Sequence, residues 1–209
     1  MRNPVEFWFG LSSTYSYLAA MRVEALAAKA GRPLAWRPFL LGPIFQAQQG
    51  SADSPFNRFP ERGRYMWRDV ARLCAKYGLP LRRPSVFPRN ALLATRVALV
   101  GEQAPWIGGF VRAIFTANFA EDRDVAREEV VREVLEALSL DAPQWIARAG
   151  DEATKQRLRA RTDEAMAHGI FGAPDFLVDG ELFFGQDRLE DALAWTGGER
   201  TGEGLEPRS

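Results

Sequence analysis

Residues 5 to 20 read Val5-Glu6-Phe7-Trp8-Phe9-Gly10-Leu11-Ser12-Ser13-Thr14-Tyr15-Ser16-Tyr17-Leu18-Ala19-Ala20. The first half of this stretch is short, apolar and aromatic, a pattern typical of a buried strand. The second half takes helical spacing, and its apolar face continues to Gly31. The stretch therefore predicts a strand that leads directly into one helix.

The small-residue turn between this strand and this helix has two interpretations. As local structure, Ser12 or Ser13 is an N-cap, because a hydroxyl there accepts a hydrogen bond from a first-turn N–H group. As a site, the free N–H groups and the positive end of the helix dipole attract an anionic ligand. The local pattern leaves both interpretations open.

Composition restricts the class of protein. A chain of 209 residues can bury one sizeable core, or a core with an inserted subdomain. Basic and acidic residues number 27 each, so no net charge favours nucleic acid or an anionic membrane. No apolar run approaches the roughly 20 residues that span a bilayer, and the N-terminus lacks a signal-peptide pattern. We expect a cytoplasmic protein with neither a nucleic-acid nor a membrane partner.

The middle of the chain is predicted to be helical. Residues 33–39 read as a second strand, parallel to the first in a βαβ unit. Residues 42–63 are rich in Gly, Pro, Ser, Asn and Gln and predict a long irregular loop, either a functional lid or a solvent loop. Helical patterns then cover 64–77, 89–100, 106–119, 127–138, 142–149 and 151–168.

Two single residues in this block are interpreted as structural. Cys74, the only cysteine, lies on an apolar helix stripe and is expected to be an inert core thiol. His168, the only histidine, precedes Gly169 at a helix end and is expected to cap carbonyl groups there. No cluster of His, Cys and carboxylate side chains in the sequence suggests a metal site.

A β pattern returns at residues 172–185, where two short apolar runs flank Asp179-Gly180, a hairpin signal. Pro174 fits a strand start, since it has no N–H for a sheet ladder. A closing helix is predicted at 187–195. The resulting order of βαβ, helical block and ββα is an α/β architecture with a four-stranded sheet.

This order, with a proline entering the third strand, resembles the thioredoxin fold with an inserted all-helical domain. Residues 1–45 and 166–200 would form the thioredoxin-like part, 46–165 the helical insertion and 201–209 a disordered tail. Thiol–disulfide oxidoreductases of this fold carry Cys-x-x-Cys where this chain has Ser13-Thr14-Tyr15-Ser16. Because serine hydroxyls cannot cycle between dithiol and disulfide, this chain alone cannot perform that redox chemistry.

Six motifs in order resemble the 2-hydroxychromene-2-carboxylate isomerases, relatives of the kappa-class glutathione transferases. The resemblance runs from Val5 to Leu193. The matching stretches are Ser13-Thr14-Tyr15-Ser16-Tyr17-Leu18-Ala19, Asn57-Arg58-Phe59-Pro60, Arg64-Tyr65-Met66-Trp67-Arg68-Asp69, Phe87-Pro88-Arg89-Asn90, Phe171-Gly172-Ala173-Pro174 and Phe184-Gly185-Gln186-Asp187-Arg188-Leu189.

The resemblance implies a glutathione site. Ser13 would contact the glutathione sulfur, and Ala173, before a cis Pro174, would pair its backbone with the cysteinyl part. Gln186 and Asp187 would hold the γ-glutamyl end. The family often has Pro at the position of Thr14 and Asn or Ser at that of Gln186, which leaves the side-chain contact of Gln186 open. Asp187 also suits a helix start without a ligand, and Asn57 is either a ligand contact or a turn residue.

Candidates for the substrate side are Arg64, Tyr65, Arg89 and Asn90, with Arg64 or Arg89 pairing a substrate carboxylate. Arg89 and Asn90 also suit a helix start. Trp67 could likewise line the substrate side or be a core residue. The resemblance implies a homodimeric, glutathione-dependent isomerase of aromatic carboxylates such as 2-hydroxychromene-2-carboxylate, which yields trans-o-hydroxybenzylidenepyruvate-type products. A kappa-like transferase and a non-catalytic thioredoxin-fold binding protein are the alternatives.

Overall fold

Four strands form one mixed sheet. The computed structural model describes residues 3–196, so the tail predicted at 201–209 lies outside the described residues. The strand order is β2-β1-β3-β4; β1 and β2 are parallel and the other pairs are antiparallel. This sheet confirms the predicted βαβ and ββα halves of a thioredoxin-like fold. The strands are β1 (Val5–Phe9), β2 (Leu34–Pro38), β3 (Asp175–Val178) and β4 (Glu181–Phe184).

The connection from β1 to β2 contains two helices, α1 (Thr14–Ala20) and α2 (Val23–Lys29), so the prediction of one continuous helix was wrong. Tertiary contacts hold the break at Arg22. Its guanidinium lies 3.9 Å from the centre of the Tyr77 ring and donates to the Gln186 side chain at 3.2 Å. Tyr77 and Gln186 are distant from Arg22 in sequence, so the local pattern of residues could not predict these contacts.

The prediction of an irregular loop at 42–63 was also wrong. The chain forms α3 (Leu41–Gln49), α4 (Pro55–Arg58) and the beginning of α5 (Pro60–Tyr77). Pro55 and Pro60 each occupy a first helical position. Proline suits that position because the N–H groups of a first turn have no acceptor within the helix. The prolines that break the periodicity of the sequence therefore begin helices here.

The remaining helices follow the predicted pattern closely. One difference is that α6 begins three residues late, where the Asn90 side-chain oxygen accepts the Leu92 N–H at 3.0 Å. The last helix follows a 3₁₀ turn, Gln186–Arg188. The elements are α6 (Leu92–Val100), α7 (Ile107–Phe119), α8 (Glu128–Ala137), α9 (Ala142–Gly150), α10 (Glu152–Ala167) and α11 (Leu189–Ala194).

Alternate side chains of β1 face two apolar clusters. Phe7 and Phe9 belong to the large cluster on the face of α1 and α7, whereas Trp8 belongs to the smaller cluster that α3 and α10 cover. Tyr17 of α1 stacks on Phe119 of α7 with ring centres 5.6 Å apart. The helical block therefore shares a core with the sheet. The expected boundary between residues 45 and 46 lies inside α3, and the division into two domains stays a prediction.

The β3–β4 hairpin turns at Asp179 and Gly180, with φ angles of 54° and 83°. Positive φ at both central residues is the type I′ requirement that Asp-Gly satisfies, which confirms the hairpin prediction. Across residues 3–196, no helix is both long and apolar enough to cross a membrane.

Candidate functional site

A cavity of about 840 Å³ lies beside the turn between β1 and α1. Its walls come from that turn, from the segment 39–62, from the segment 87–95 and from residues 171–173 with Phe184. Most lining side chains are apolar. Two lining residues are charged, Arg62 and Arg89, and no lining residue is acidic. A cavity of this size and character suits a small organic ligand that carries negative charge.

Ser13 is the N-cap of α1, which confirms its local interpretation. Its Oγ accepts the Ser16 N–H at 3.2 Å and donates to the Ala173 carbonyl at 3.0 Å. The N–H groups of Thr14 and Tyr15 begin the helix, where no intrahelical acceptor exists, and both residues line the cavity. Ser13 and Ala173, both predicted site residues, are thus brought into direct contact.

The Ala173–Pro174 peptide bond is cis, as expected, and a second cis bond joins Phe87 and Pro88. Ala173 lines the cavity, whereas Pro174, the residue that precedes β3, does not. Phe171 and Phe184, both about half exposed, add two aromatic rings to the cavity lining, with ring centres 4.4 Å apart. Neither ring was among the predicted site residues.

Tyr15 lines the cavity beside Ser13, but its hydroxyl is engaged elsewhere. It donates to Asp69 at 3.0 Å. Burial and this hydrogen bond raise the pKa of Tyr15 well above its ordinary value. The phenol stays protonated at neutral pH and contributes a ring to the cavity wall.

Gln186 and Asp187, predicted to hold the γ-glutamyl end, do not line the cavity. The Gln186 side chain is buried and accepts hydrogen bonds from Arg22 and, at 3.3 Å, from the Tyr77 hydroxyl. Asp187 is exposed and pairs with Arg188 at 3.1 Å. Their ligand role stays a prediction that the cavity geometry does not support.

Asn57 also lies outside the cavity lining. Its amide donates to Asp53 at 3.0 Å and to the Phe87 carbonyl at 2.9 Å. It therefore fastens α4 to the segment that carries the second cis bond. Asn90 does line the cavity, while its oxygen caps the Leu92 N–H at the start of α6.

Arg89 reaches the cavity, but its guanidinium is turned into the protein and its side chain is 4% exposed. The group donates to Asn118, to the Arg123 carbonyl at 2.9 Å and to Ser85 at 3.0 Å, and it pairs with Asp122. These contacts commit the guanidinium to the fold, and the substrate-binding role of Arg89 stays a prediction that this geometry does not support.

Arg64 and Tyr65 point away from the site. The Arg64 side chain is 69% exposed and pairs with Glu61 at 2.9 Å, and Tyr65 is 62% exposed. Neither lines the cavity. Besides Arg89, the arginine that lines it is Arg62, which was not among the predicted site residues because this helix was predicted to begin at residue 64. Pro60 could have indicated the correct start of α5, because proline is common at the first position of a helix.

Two buried titratable groups lie away from the cavity lining. Burial raises the pKa of the Cys74 thiol to about 11, which fits the expected inert core thiol. Asp175 is fully buried, both of its oxygens lack a hydrogen-bond partner within residues 3–196, and burial raises its pKa to about 8. The same described residues contain no group of three or more His, Cys, Asp or Glu placed to hold a metal ion.

The family model described as a DSBA-like thioredoxin domain matches residues 4–194. The chain belongs to the DSBA-like thioredoxin domain family. Among curated family relatives, a 2-hydroxychromene-2-carboxylate isomerase of Sphingobium xenophagum is 26% identical over 190 residues, which cover 91% of this chain and 96% of the relative. Glutathione S-transferase kappa 2 of Caenorhabditis elegans is 25% identical over 206 residues, 90% of this chain and 89% of that one.

A solved 2-hydroxychromene-2-carboxylate isomerase shares the fold with a TM-score of 0.80 and 24% identity, over 88% of this chain and 90% of that one. The resemblance that the sequence motifs indicated is confirmed, and so is the thioredoxin-like α/β fold of this DSBA-like chain.

Proposed function

We propose that the protein is a glutathione-dependent isomerase of small aromatic carboxylates, of the kind acting on 2-hydroxychromene-2-carboxylate. The observation that carries the proposal is the direct contact of Ser13 with Ala173 on the wall of the large cavity. The resemblance to the isomerase motifs predicted both residues as site residues. A curated 2-hydroxychromene-2-carboxylate isomerase is similar to this chain over 91% of its length. The expected homodimer and cytoplasmic location stay predictions.

The lining residues fit glutathione. The tripeptide is anionic, and no carboxylate lines the cavity to repel it. The turn offers the first N–H groups of α1 and the Ser13 hydroxyl, and Ala173 offers its backbone. When bound, glutathione supplies a thiolate nucleophile that adds reversibly to an unsaturated carbon of the substrate and is released unchanged.

The chain's part is to hold the ligand thiol as a thiolate. A free thiol has a pKa of about 8.5 and is mostly protonated at neutral pH. A charge-assisted hydrogen bond is worth about 1.5–3 kcal/mol, which lowers that pKa by roughly one to two units. Ser13 can supply this bond when its hydroxyl turns from Ala173 toward the sulfur. Stabilising developing negative charge at the sulfur lowers the barrier to attack and departure alike.

A transferase that conjugates an electrophile irreversibly would use the same residues, and the kappa-class relative favours it as the second candidate. The two activities differ in the fate of glutathione, because an isomerase returns it and a transferase consumes it. Measuring glutathione before and after turnover of an aromatic carboxylate separates them.

The test compares Ser13→Ala with Ser12→Ala. In the wild type the Ser12 hydroxyl donates to the Arg89 carbonyl at 2.7 Å. The ultraviolet absorbance of the thiolate is followed against pH for bound glutathione. Ser13→Ala should raise the bound thiol's pKa by roughly one to two units, whereas Ser12→Ala should leave it unchanged. Catalytic rate in Ser13→Ala should fall most at low pH and recover partly as pH rises.

If Ser13 serves only as a cap, Ser13→Ala should cost about 1 kcal/mol of unfolding free energy and leave the thiolate titration curve unchanged. That outcome, or the absence of any heat on titration with millimolar glutathione, would contradict the proposed function.

A further inference from the structure

Arg62 is the cationic side chain of the cavity that the fold leaves free. It lines the cavity, and its guanidinium carbon lies 4.7 Å from the centre of the Phe59 ring. Within residues 3–196, no carboxylate, carbonyl or hydroxyl accepts a hydrogen bond from this side chain. A guanidinium stacked on an aromatic face keeps the edge of its planar fork available for a ligand.

The neighbouring arginines are committed to the protein. Arg58, whose guanidinium carbon lies 5.9 Å from the centre of the Phe59 ring, donates to the Gln49 carbonyl at 2.9 Å. Arg89 is enclosed by the acceptors around Asp122, and Arg64 pairs with Glu61 outside the cavity. An anion that enters the cavity thus has one unpaired guanidinium to meet.

The other lining residues favour a ligand whose uncharged part is aromatic. Aromatic rings surround the space, and no acidic side chain lines it to pair with Arg62 from within. A guanidinium recognises a carboxylate by two parallel N–H···O bonds, a geometry that a flat arene carboxylate satisfies well. The aromatic lining residues are Tyr15, Phe39, Phe45, Phe56, Phe87, Phe171 and Phe184.

The backbone at Arg62 is held by close packing of its helix. At the next residue, Gly63, an added Cβ would lie 2.3 Å from the Phe56 carbonyl oxygen, so the first turn of α5 rests directly on the backbone of α4. This contact holds Arg62 on a rigid element rather than on a loop.

We propose that Arg62 binds the carboxylate of the aromatic substrate, an assignment that rests on the proposed isomerase function and replaces Arg64 and Arg89 in that role. Arg62 determines specificity: planar, mostly apolar molecules with one carboxylate are accepted, and their neutral analogues bind more weakly.

The test uses 1-naphthoate and its neutral analogue 1-naphthamide as probes, each titrated by calorimetry into the wild-type protein and its variants. We expect the wild type to prefer the carboxylate by about 10-fold or more, the effect of one charge-assisted hydrogen bond. Arg62→Ala should abolish the preference. Arg62→Lys should restore it only in part, because an ammonium is a point charge without the planar fork.

Arg68→Ala is the matched control, since Arg68 is an exposed arginine on the same helix outside the cavity. It should retain the full preference, and so should Arg64→Ala. Loss of the preference in Arg64→Ala but not in Arg62→Ala would overturn the assignment. Equal affinity of the wild type for the two probes would overturn it as well.

Glutathione also carries carboxylates, so its affinity is measured separately for each variant. Arg62→Ala should bind glutathione as the wild type does. A loss of glutathione affinity with naphthoate binding intact would show that Arg62 holds the tripeptide, and the assignment would fail. If the wild type prefers naphthoate yet binds no glutathione, the proposed function fails while the carboxylate site of Arg62 stands.

Discussion

At the scale of single residues, Ser13 already uses its hydroxyl twice, as acceptor for Ser16 and as donor to Ala173. A hydroxyl has one hydrogen to donate, so a ligand sulfur must compete with the Ala173 carbonyl for it. Capping of α1 uses the acceptor side and can continue while the hydrogen turns toward a ligand. The N-cap and the ligand interpretations of Ser13 are therefore compatible in this geometry.

Asp175 makes the stability of the protein depend on pH. Burial raises its pKa from 3.8 to about 8, so the folded form keeps the proton to higher pH than the unfolded form does. Its contribution to stability is present at low pH and is lost as pH rises through that window. Each pH unit inside the window costs up to about 1.4 kcal/mol of unfolding free energy.

Asp175→Asn removes this ionisation while nearly keeping the shape of the side chain. We expect the variant to gain stability over the wild type steadily from about pH 5 to pH 8, as measured by urea unfolding at several pH values. Asp163→Asn, which changes an exposed carboxyl group on α10, is the control and should follow the wild type. Parallel curves for the wild type and Asp175→Asn would contradict this assignment.

At the scale of elements, the junction of α4 and α5 shapes the cavity wall and depends on one glycine. A Cβ at Gly63 would meet a backbone oxygen, which cannot rotate aside as a side chain can. We expect Gly63→Ala to destabilise the fold by about 1–3 kcal/mol, since the clash outweighs the roughly 1 kcal/mol by which alanine favours a helix.

Gly150→Ala is the matched control, because Gly150 ends α9 and a Cβ there meets nothing within 4 Å. This substitution should be neutral or should stabilise by up to about 1 kcal/mol. Denaturant unfolding measures the free energy of unfolding of both variants and of the wild type. If Gly63→Ala is as stable as the wild type, α4 moves freely and the cavity wall is not held by this contact.

At the scale of the whole molecule, Arg89 links parts that are distant in sequence. Its guanidinium reaches Asn118 at the end of α7 and Asp122 beyond it, and its carbonyl accepts the Ser12 hydroxyl from the turn beside α1. The helical block is thereby fastened to the turn that forms the candidate site. Buried donors and acceptors that lose such a partner are costly.

Arg89→Ala should therefore lower the unfolding free energy by about 3–5 kcal/mol, the usual cost of breaking a buried ion pair from one side. Thermal and denaturant unfolding measure this loss, with Arg68→Ala as the exposed control. Unchanged stability combined with weaker 1-naphthoate binding would instead mean that Arg89 contacts the ligand.

Local signals in the sequence determined much of this protein. The apolar run at β1, the Asp179-Gly180 turn and the helices from α6 to α10 each depend on residues within a few positions of one another, so the pattern of the chain predicts them. A serine N-cap for α1 followed from the local turn pattern, and the cis bond at Pro174 followed from motif order. So did the family, since the motifs span nearly the whole chain.

Only the tertiary structure decided which of the predicted residues meet. Helical spacing could not choose among Arg62, Arg64 and Arg89, because the choice depends on where α5 begins and on acceptors thirty residues away in sequence that enclose Arg89. Likewise, Arg22 and Gln186 bond to each other across 164 positions. Side chains of the same type differ in role because packing gives some of them a partner inside the protein and leaves Arg62 facing the cavity.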